Sequence, residues 1–201
     1  MMISFGIFGY PRWGRTWMWL SRWSRTRGFG IQSPWAYRFV QTVVRHSIEA
    51  NKELRTGKGN DRDTCLARTL SMLYYRLSLQ APCASWEFDT PDADVKQSAV
   101  ALACNLLTGQ TYGVQPLCKN VTYIWVIDIN KAVFDDLQMF LNHRDPNRIL
   151  IVEGIYQSRH SLRQWKKLRS DPSAGVSWDL YYCGIICFDL KMYKQYYKVM
   201  I

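Results

Sequence analysis

The chain has 201 residues, which is enough for one domain with a hydrophobic core of its own. Hydrophobic residues make up 48% of the sequence, which excludes an intrinsically disordered protein. The net charge of +10 favours an anionic partner, such as a nucleic acid, an acidic membrane surface or a phosphorylated ligand, with solubility alone as the alternative explanation.

The first part of the chain, over residues 1–56, is predicted to be a basic, Trp-rich helical extension to an α/β domain over 57–201. Within it, residues 11–27 interleave arginines with tryptophans, and Trp13 and Trp17 would share one face of a helix. A helix of this kind is typical of a membrane surface or a protein groove. The alternative is a helix packed on the chain's own domain, with its arginine side chains reaching to solvent.

Shorter elements are predicted in the next part of the chain. Ser33 is a good N-cap and Pro34 a good first residue, so a helix is expected to begin there. The apolar spacing then predicts a helix over 66–79, a short strand over 84–89 and a second helix over 95–107.

The clearest pattern is a strand, a helix and a second strand between Val121 and Glu153. The first apolar run ends in Asp128 and Asn130, and the second run, Ile149–Val152, ends in Glu153. Ligands of α/β folds bind just past the carboxyl ends of the parallel strands. Asp128 and Glu153 are therefore predicted to lie side by side at the rim of a binding site.

A basic helix is predicted to follow. Ser158 would cap it, and it would continue to about residue 169 with apolar residues on its inner face. Its basic residues are Arg159, Arg163, Lys166, Lys167 and Arg169. A stripe of one charge suits phosphate groups or anionic lipids, and an ordinary solvated helix face is the alternative.

Two apolar runs near the end, Val176–Tyr182 and Ile185–Phe188, predict an antiparallel hairpin with Gly184 between them. Cys183 and Cys187 would share a strand face in the core. None of the six cysteines forms a CxxC pair, so reduced, buried thiols in a cytoplasmic protein are expected rather than a zinc site or a disulfide framework. No segment reaches the roughly 20 apolar residues of a membrane span, which leaves peripheral attachment as the membrane alternative.

Three segments together carry a pattern known from one family. The first is Gly28–Tyr37, similar to that family's GxGxHSPF segment, and the second is Val126–Asn130, similar to FIDGNH. The third runs from Ile149 to Phe188 and includes Ile151–Tyr156, similar to IFDDIH, then Trp165, then Trp178–Phe188, similar to IDLFFMGLVFF. In this order and spacing they resemble the class I S-adenosylmethionine-dependent methyltransferase-like proteins of the Bacteroidetes type. The resemblance covers roughly 27–46 and nearly all of 121–201.

The resemblance implies a Rossmann-like methyltransferase sheet and S-adenosylmethionine as the cofactor. The residues it implies as cofactor contacts are Glu87, Asp89, Asp128 and Asn130. It implies no catalytic residue, since no general base is evident in the sequence. Asp128 and Glu153 alone would make a poor octahedral magnesium site, so no metal is expected.

The sequence departs from the family where the cofactor would bind. Asp89 and Ala93 stand about where the glycines of the nucleotide loop belong, and Pro91 stiffens the turn. Only residues 108–120 separate the predicted helix over 95–107 from the strand that ends in Asp128. This stretch is too short for the family's full set of strands and helices, so about one and a half βα units of its sheet are missing. The fold class expected is thus a truncated methyltransferase-like α/β sheet with a C-terminal antiparallel hairpin and an N-terminal helical extension.

These departures favour a degenerate homologue, a pseudoenzyme with weak or no catalysis that has lost S-adenosylmethionine. One alternative is an active methyltransferase, and so a transferase, on an unknown acceptor. Another is a non-enzymatic protein that binds an anionic membrane surface or nucleic acid through the N-terminal Trp/Arg segment and the helix at 159–169. The sequence leaves open the oligomeric state and whether a partner chain completes the sheet.

Overall fold

The computed structural model describes residues 31–45, 62–109, 117, 118, 120–143, 145–189, 191 and 193–199. The predicted Trp/Arg helix within 11–27 and the predicted domain boundary at residue 56 lie outside the described residues.

Helices and strands alternate along most of the described chain. The helices are α1 (Pro34–Phe39), α2 (Arg62–Gln80), α3 (Ala93–Gly109), α4 (Phe134–Asn142) and α5 (Arg159–Ser170), and a short π-helix, Val40–Val44, continues α1. The strands are β1 (Ser85–Asp89), β2 (Tyr123–Asp128), β3 (Arg148–Glu153), β4 (Ser177–Asp179), β5 (Cys183–Cys187) and β6 (Tyr196–Lys198). Each predicted element between residues 33 and 188 is present, with bounds that differ by a few residues.

The six strands form one mixed sheet in the order β1-β2-β3-β5-β4-β6. β1, β2 and β3 are parallel to one another, β5 is antiparallel to both of its neighbours, and β6 is parallel to β4. The α/β class and the antiparallel C-terminal hairpin are confirmed, and the sheet is compatible with a Rossmann-like fold.

Helices cover both faces of the sheet, so the central strands are apolar throughout. On β2, Ile124 and Val126 pack with α1, α2 and α3, whereas Trp125 and Ile127 pack with α4 and α5. β3 alternates in the same way and is buried along its whole length. Strands buried on both faces are expected to read as continuous apolar runs, and this is why the sequence predicts them so clearly.

Serine side chains cap the N-termini of two helices. The Ser33 hydroxyl accepts a hydrogen bond from the Ala36 amide at 3.3 Å, and the Ser158 hydroxyl accepts one from the Ser161 amide at 3.0 Å.

Phe39 stacks on Trp178 with ring centroids 4.4 Å apart. Residues 31–45 therefore pack directly on the sheet.

The turn of the C-terminal hairpin differs from the prediction in one respect. Gly184 lies inside β5 rather than between two strands, and the chain reverses at residues 180–182. Tyr181 takes the left-handed conformation there, with φ of 76°. Gly184 is needed instead for packing, since a Cβ at this position would lie 2.4 Å from Cη2 of Trp165.

The cysteines follow the prediction in part. Cys183 and Cys187 are buried in the same core cluster, and Cys118 is buried as well. Cys83 is exposed, which corrects the expectation that the thiols are buried.

Within the described helices, none is long and apolar enough to cross a membrane.

The contact between position 184 and the Trp165 ring leads to a stability prediction. We expect Gly184→Ala to lower the free energy of unfolding by about 1–3 kcal/mol, because the added methyl group forces the indole or the strand to move. Urea unfolding followed by circular dichroism measures this change.

Trp165→Phe supplies the control, because the smaller ring leaves room for the methyl group. Trp165→Phe destabilises by itself, but Gly184→Ala should cost clearly less in that background, since the two positions are in contact. An equal cost in both backgrounds would contradict the steric explanation.

Candidate functional site

The structure brings the two predicted strand-end carboxylates together. Asp128 and Glu153 are paired in register at the ends of β2 and β3. Each residue is about nine-tenths buried, with 8% of its total surface exposed. The expectation that they lie side by side is confirmed.

Glu153 is held by two side chains from different helices. Tyr74 of α2 donates its hydroxyl to Oε1 at 2.5 Å, and Lys96 of α3 donates Nζ to Oε2 at 2.8 Å. The exposed fractions of the Lys96 and Glu153 side chains are 3% and 10%, so this is a buried ion pair. Both carboxylate oxygens therefore have partners inside the protein.

Lys96 also fixes the loop between β1 and α3. Its Nζ donates to Thr90 Oγ1 at 3.0 Å and to the Pro91 carbonyl at 2.6 Å. A lysine in the first turn of a helix is unfavourable for the helix dipole, and burial adds a desolvation cost. The Glu153 carboxylate and the two loop oxygens offset these costs.

Burial determines the protonation of this cluster. It raises the pKa of the Glu153 carboxyl above its ordinary value, and the Lys96 ammonium partly opposes the rise. Burial, together with the negative charge of Glu153, also raises the pKa of Tyr74 well above its ordinary value. Tyr74 therefore keeps its proton and acts as a hydrogen-bond donor to Glu153.

A second hydrogen-bond network surrounds Asp128. Its Oδ1 accepts bonds from the Asn130 backbone amide at 3.0 Å and from Asn130 Nδ2 at 3.1 Å. Asn130 also donates to Gln157 and accepts a 2.7 Å bond from Ser161 in the first turn of α5. The predicted site residue Asn130 is thus a connector between the end of β2 and α5.

A cavity of about 370 Å³ opens beside these groups, and we call it the strand-end cavity. Its lining includes Pro91, Asp92, Lys96, Asp128, Glu153 and Gly154. No group of three or more His, Cys, Asp or Glu side chains in the described part of the chain is arranged to hold a metal ion.

The other two predicted contacts lie elsewhere. Glu87 and Asp89 are on the exposed face of β1 and line a separate groove of about 640 Å³, which we call the acidic groove. Its other lining residues include Tyr123, Trp125, Asp136 and Phe140. The structure thus places Asp128 at the strand-end cavity and Glu87 and Asp89 at the acidic groove.

Two members of the site, Tyr74 and Lys96, were not predicted as functional residues. Tyr74 has the spacing of the apolar side of α2, and this spacing by itself indicates only a core residue. Lys96 is three residues before Ala99 and seven before Ala103, and all three are buried on one side of α3. A lysine in register with an apolar helix stripe is a signal that its ammonium is paired inside the protein.

Comparison with known proteins finds no matching protein-family model, no matching curated protein and no matching solved structure.

The buried ion pair yields a stability prediction. At pH 7 we expect Lys96→Met to lower the free energy of unfolding by about 3–5 kcal/mol, because the Glu153 carboxylate loses its counter-ion while it stays buried. The double variant Lys96→Met/Glu153→Gln should recover much of the loss, since glutamine is neutral and still accepts the Tyr74 hydrogen bond. Denaturant unfolding of the three proteins makes the comparison.

The loss should also depend on pH. The pKa of Glu153 is raised in the folded state, so the protonated carboxyl stabilises the fold. This stabilisation is fully present below pH 4.5, the ordinary pKa of the group, and it is lost as the pH rises through the folded-state pKa. Removing Lys96 raises that pKa further, so the cost of Lys96→Met should shrink as the pH falls and Glu153 becomes neutral. A cost that is independent of pH would contradict the assignment of the ion pair.

Proposed function

We propose that the chain is a degenerate protein of methyltransferase-like fold that has no catalytic activity at its strand-end cavity. The observation that carries the proposal is the Lys96–Glu153 ion pair. Lys96 extends across the ends of the parallel strands and satisfies a carboxylate at the position where a ligand of such a fold would bind.

The sheet supports the fold assignment. Three parallel strands precede a hairpin with a reversed strand, in line with the resemblance of the sequence segments. β1 and β2 are direct neighbours joined through α3, and β1 lies at the edge of the sheet. This arrangement suits a methyltransferase-like sheet that lacks the βα units expected in the chain between β1 and β2.

The strand-end cavity fits S-adenosylmethionine poorly. The loop after β1 has Asp92 in the left-handed conformation, with φ of 58°, where glycine would allow closer approach of a ligand to the backbone. Lys96 and Glu153 of the cavity lining are paired with each other, so the Glu153 carboxylate is not free to hold the cationic amine of the cofactor. Asp128 and Glu153 already accept hydrogen bonds within the protein.

Titration with S-adenosylmethionine tests this proposal. We expect no heat of binding by calorimetry and no shift in the melting temperature at a concentration of about 1 mM, whereas a ligand at 100 times its Kd would stabilise the fold by about 2.7 kcal/mol. S-adenosylhomocysteine, which lacks the sulfonium charge, serves as the second ligand. Micromolar binding of either ligand would contradict the loss of the cofactor site.

A specific observation favours a binding role for α5. Arg159, Arg163 and Lys166 are exposed on this helix, whereas Trp165 and Leu168 are buried against the sheet. The predicted amphipathic pattern is therefore present, with cations on the outer face. We infer that this face binds phosphate groups of an anionic membrane surface or a nucleic acid, in a protein of net charge +10.

Charge reversal on α5 tests the binding role. We expect Arg163→Glu/Lys166→Glu to weaken binding about tenfold or more at low salt, because phosphate contacts dominate such affinities. Sedimentation with vesicles containing phosphatidylserine and polarisation with labelled single-stranded RNA distinguish the two sources of phosphate.

Arg38→Glu/Arg45→Glu provides the matched control, because both residues are exposed and the change in net charge is the same. They belong to the segment that packs on the opposite face of the sheet from α5. If the control weakens binding as much as the α5 variant, binding depends only on the net charge of the protein, and the outer face of α5 is excluded as the specific binding surface. If neither vesicles nor RNA bind the unmodified protein at low salt, the binding role is wrong.

A further inference from the structure

The C-terminal end of α5 carries an arginine that is held over a tyrosine ring. The Cζ atom of Arg169 lies 3.8 Å from the centroid of the Tyr196 ring. Tyr196 packs on the same face of the sheet as α5, and its hydroxyl donates a 2.8 Å hydrogen bond to the fully buried Asp179. The ring is therefore fixed in place, and the cation–π contact orients the guanidinium above it.

The oriented guanidinium has free hydrogen-bond donors. Arg169 has no hydrogen-bond or ion-pair partner in the part of the chain that the structure describes. Its Nε is buried, whereas its two terminal nitrogens remain accessible to solvent. The planar fork of an arginine matches the oxygens of a carboxylate or a phosphate. The terminal nitrogens thus form an accessible and pre-oriented site for one oxyanion.

Further cations beside Arg169 favour a chain of phosphates over a single carboxylate. Lys166 lies one helical turn before Arg169, and Arg163 lies one turn before Lys166, both on the exposed side of α5. Lys198 of β6 places Nζ 5.7 Å from the centroid of the same Tyr196 ring. A phosphate backbone can contact several of these cations at once, and each contact adds to its affinity.

An exposed aromatic ring lies at the same end of the helix. Tyr193 is 90% exposed. The next residue, Lys194, donates Nζ to the backbone carbonyls of Ser170 and Asp171 at 3.1 and 2.5 Å, so this segment is joined to the end of α5. Proteins that bind single-stranded nucleic acids combine cations along the backbone with aromatic side chains on which the bases stack. Tyr193 supplies such a side chain.

A lipid bilayer is the less suitable source of phosphate for this surface. A helix that binds a bilayer buries an apolar face in it. The apolar side of α5, with Trp165 and Leu168, is already buried against the sheet. Among the described residues of α5, no large hydrophobic side chain is exposed. The helix therefore offers a membrane only its charge.

We propose that the surface formed by α5 and residues 193–196 binds single-stranded nucleic acid. The terminal nitrogens of Arg169 bind one backbone phosphate, Lys166 and Arg163 bind the neighbouring phosphates, and Tyr193 stacks with a base. This site rests on the phosphate-binding role proposed for α5 and extends it to one class of partner.

Fluorescence polarisation of the full chain with a labelled oligothymidine of about 12 nucleotides tests the site. We expect Arg169→Gln to weaken binding about tenfold, because it removes a charge-assisted hydrogen bond. It should also reduce the steepness of log affinity against log salt by about 0.7, the value for one phosphate contact on a single strand. Tyr193→Ala should weaken binding about tenfold without changing that slope, because stacking involves no charge.

An abasic phosphodiester of the same length is the matched ligand, since it keeps the charges and lacks the bases. It should bind about tenfold more weakly than the oligothymidine. Equal affinity for the two oligomers would show that only phosphates are bound and would overturn the nucleic-acid site.

Arg38→Gln and Tyr37→Ala are the matched control variants. Both residues are exposed on α1, which packs on the opposite face of the sheet from α5. Each control should keep the affinity within about twofold, since distant exposed charges are screened. Losses in Arg169→Gln and Tyr193→Ala no larger than those in the controls would contradict the site. Tyr193 is exposed, so Tyr193→Ala keeps the test valid even if Arg169→Gln loses stability.

Further outcomes separate this site from the general role of α5. If Arg163→Glu/Lys166→Glu weakens binding but Arg169→Gln and Tyr193→Ala do not, α5 binds phosphate and the nucleic-acid site is wrong. Binding to phosphatidylserine vesicles without binding to the oligothymidine would leave α5 as a membrane-binding face and overturn the site. Binding to neither would overturn both proposals. Unchanged melting temperatures verify that each variant is folded.

Discussion

The buried ion pair between Lys96 and Glu153 is the interaction on which the arrangement of the strand ends depends. It joins α3 to β3, and the Tyr74 hydroxyl adds α2 to the same carboxylate. Lys96 also holds two oxygens of the loop after β1. Three parts of the chain that are distant in sequence therefore meet at one buried charge pair: α2, the β1–α3 loop with the start of α3, and β3.

The same interaction limits the chemistry of the strand-end cavity. A carboxylate whose two oxygens already accept bonds from an ammonium and a phenol has little hydrogen-bonding capacity left for a further ligand. The tyrosine keeps its proton because burial raises its pKa. Buried polar groups that satisfy one another give a stable and specific structure, but they leave few donors or acceptors for a substrate. Exposed charged side chains lie elsewhere, on the outer face of α5 and in the acidic groove.

The sequence predicts most of the sheet because its central strands are buried on both faces and appear as unbroken apolar runs. The strand 148–153 and the pairing of Asp128 with Glu153 follow from this pattern. The partner of Glu153 is 57 residues away in the chain, and no local pattern specifies that contact. The resemblance likewise groups Glu87 with Asp128, whereas strand alternation places Glu87 on a face that borders a different cavity.

The contact between Gly184 and Trp165 has a consequence for how this protein can diverge. The indole lies where a side chain at position 184 would begin, so either position restricts what the other can become. A related chain with a larger residue at 184 is expected to carry a smaller one at 165. The two positions, which lie on α5 and β5, are therefore expected to covary during evolution, although neither is part of a binding site.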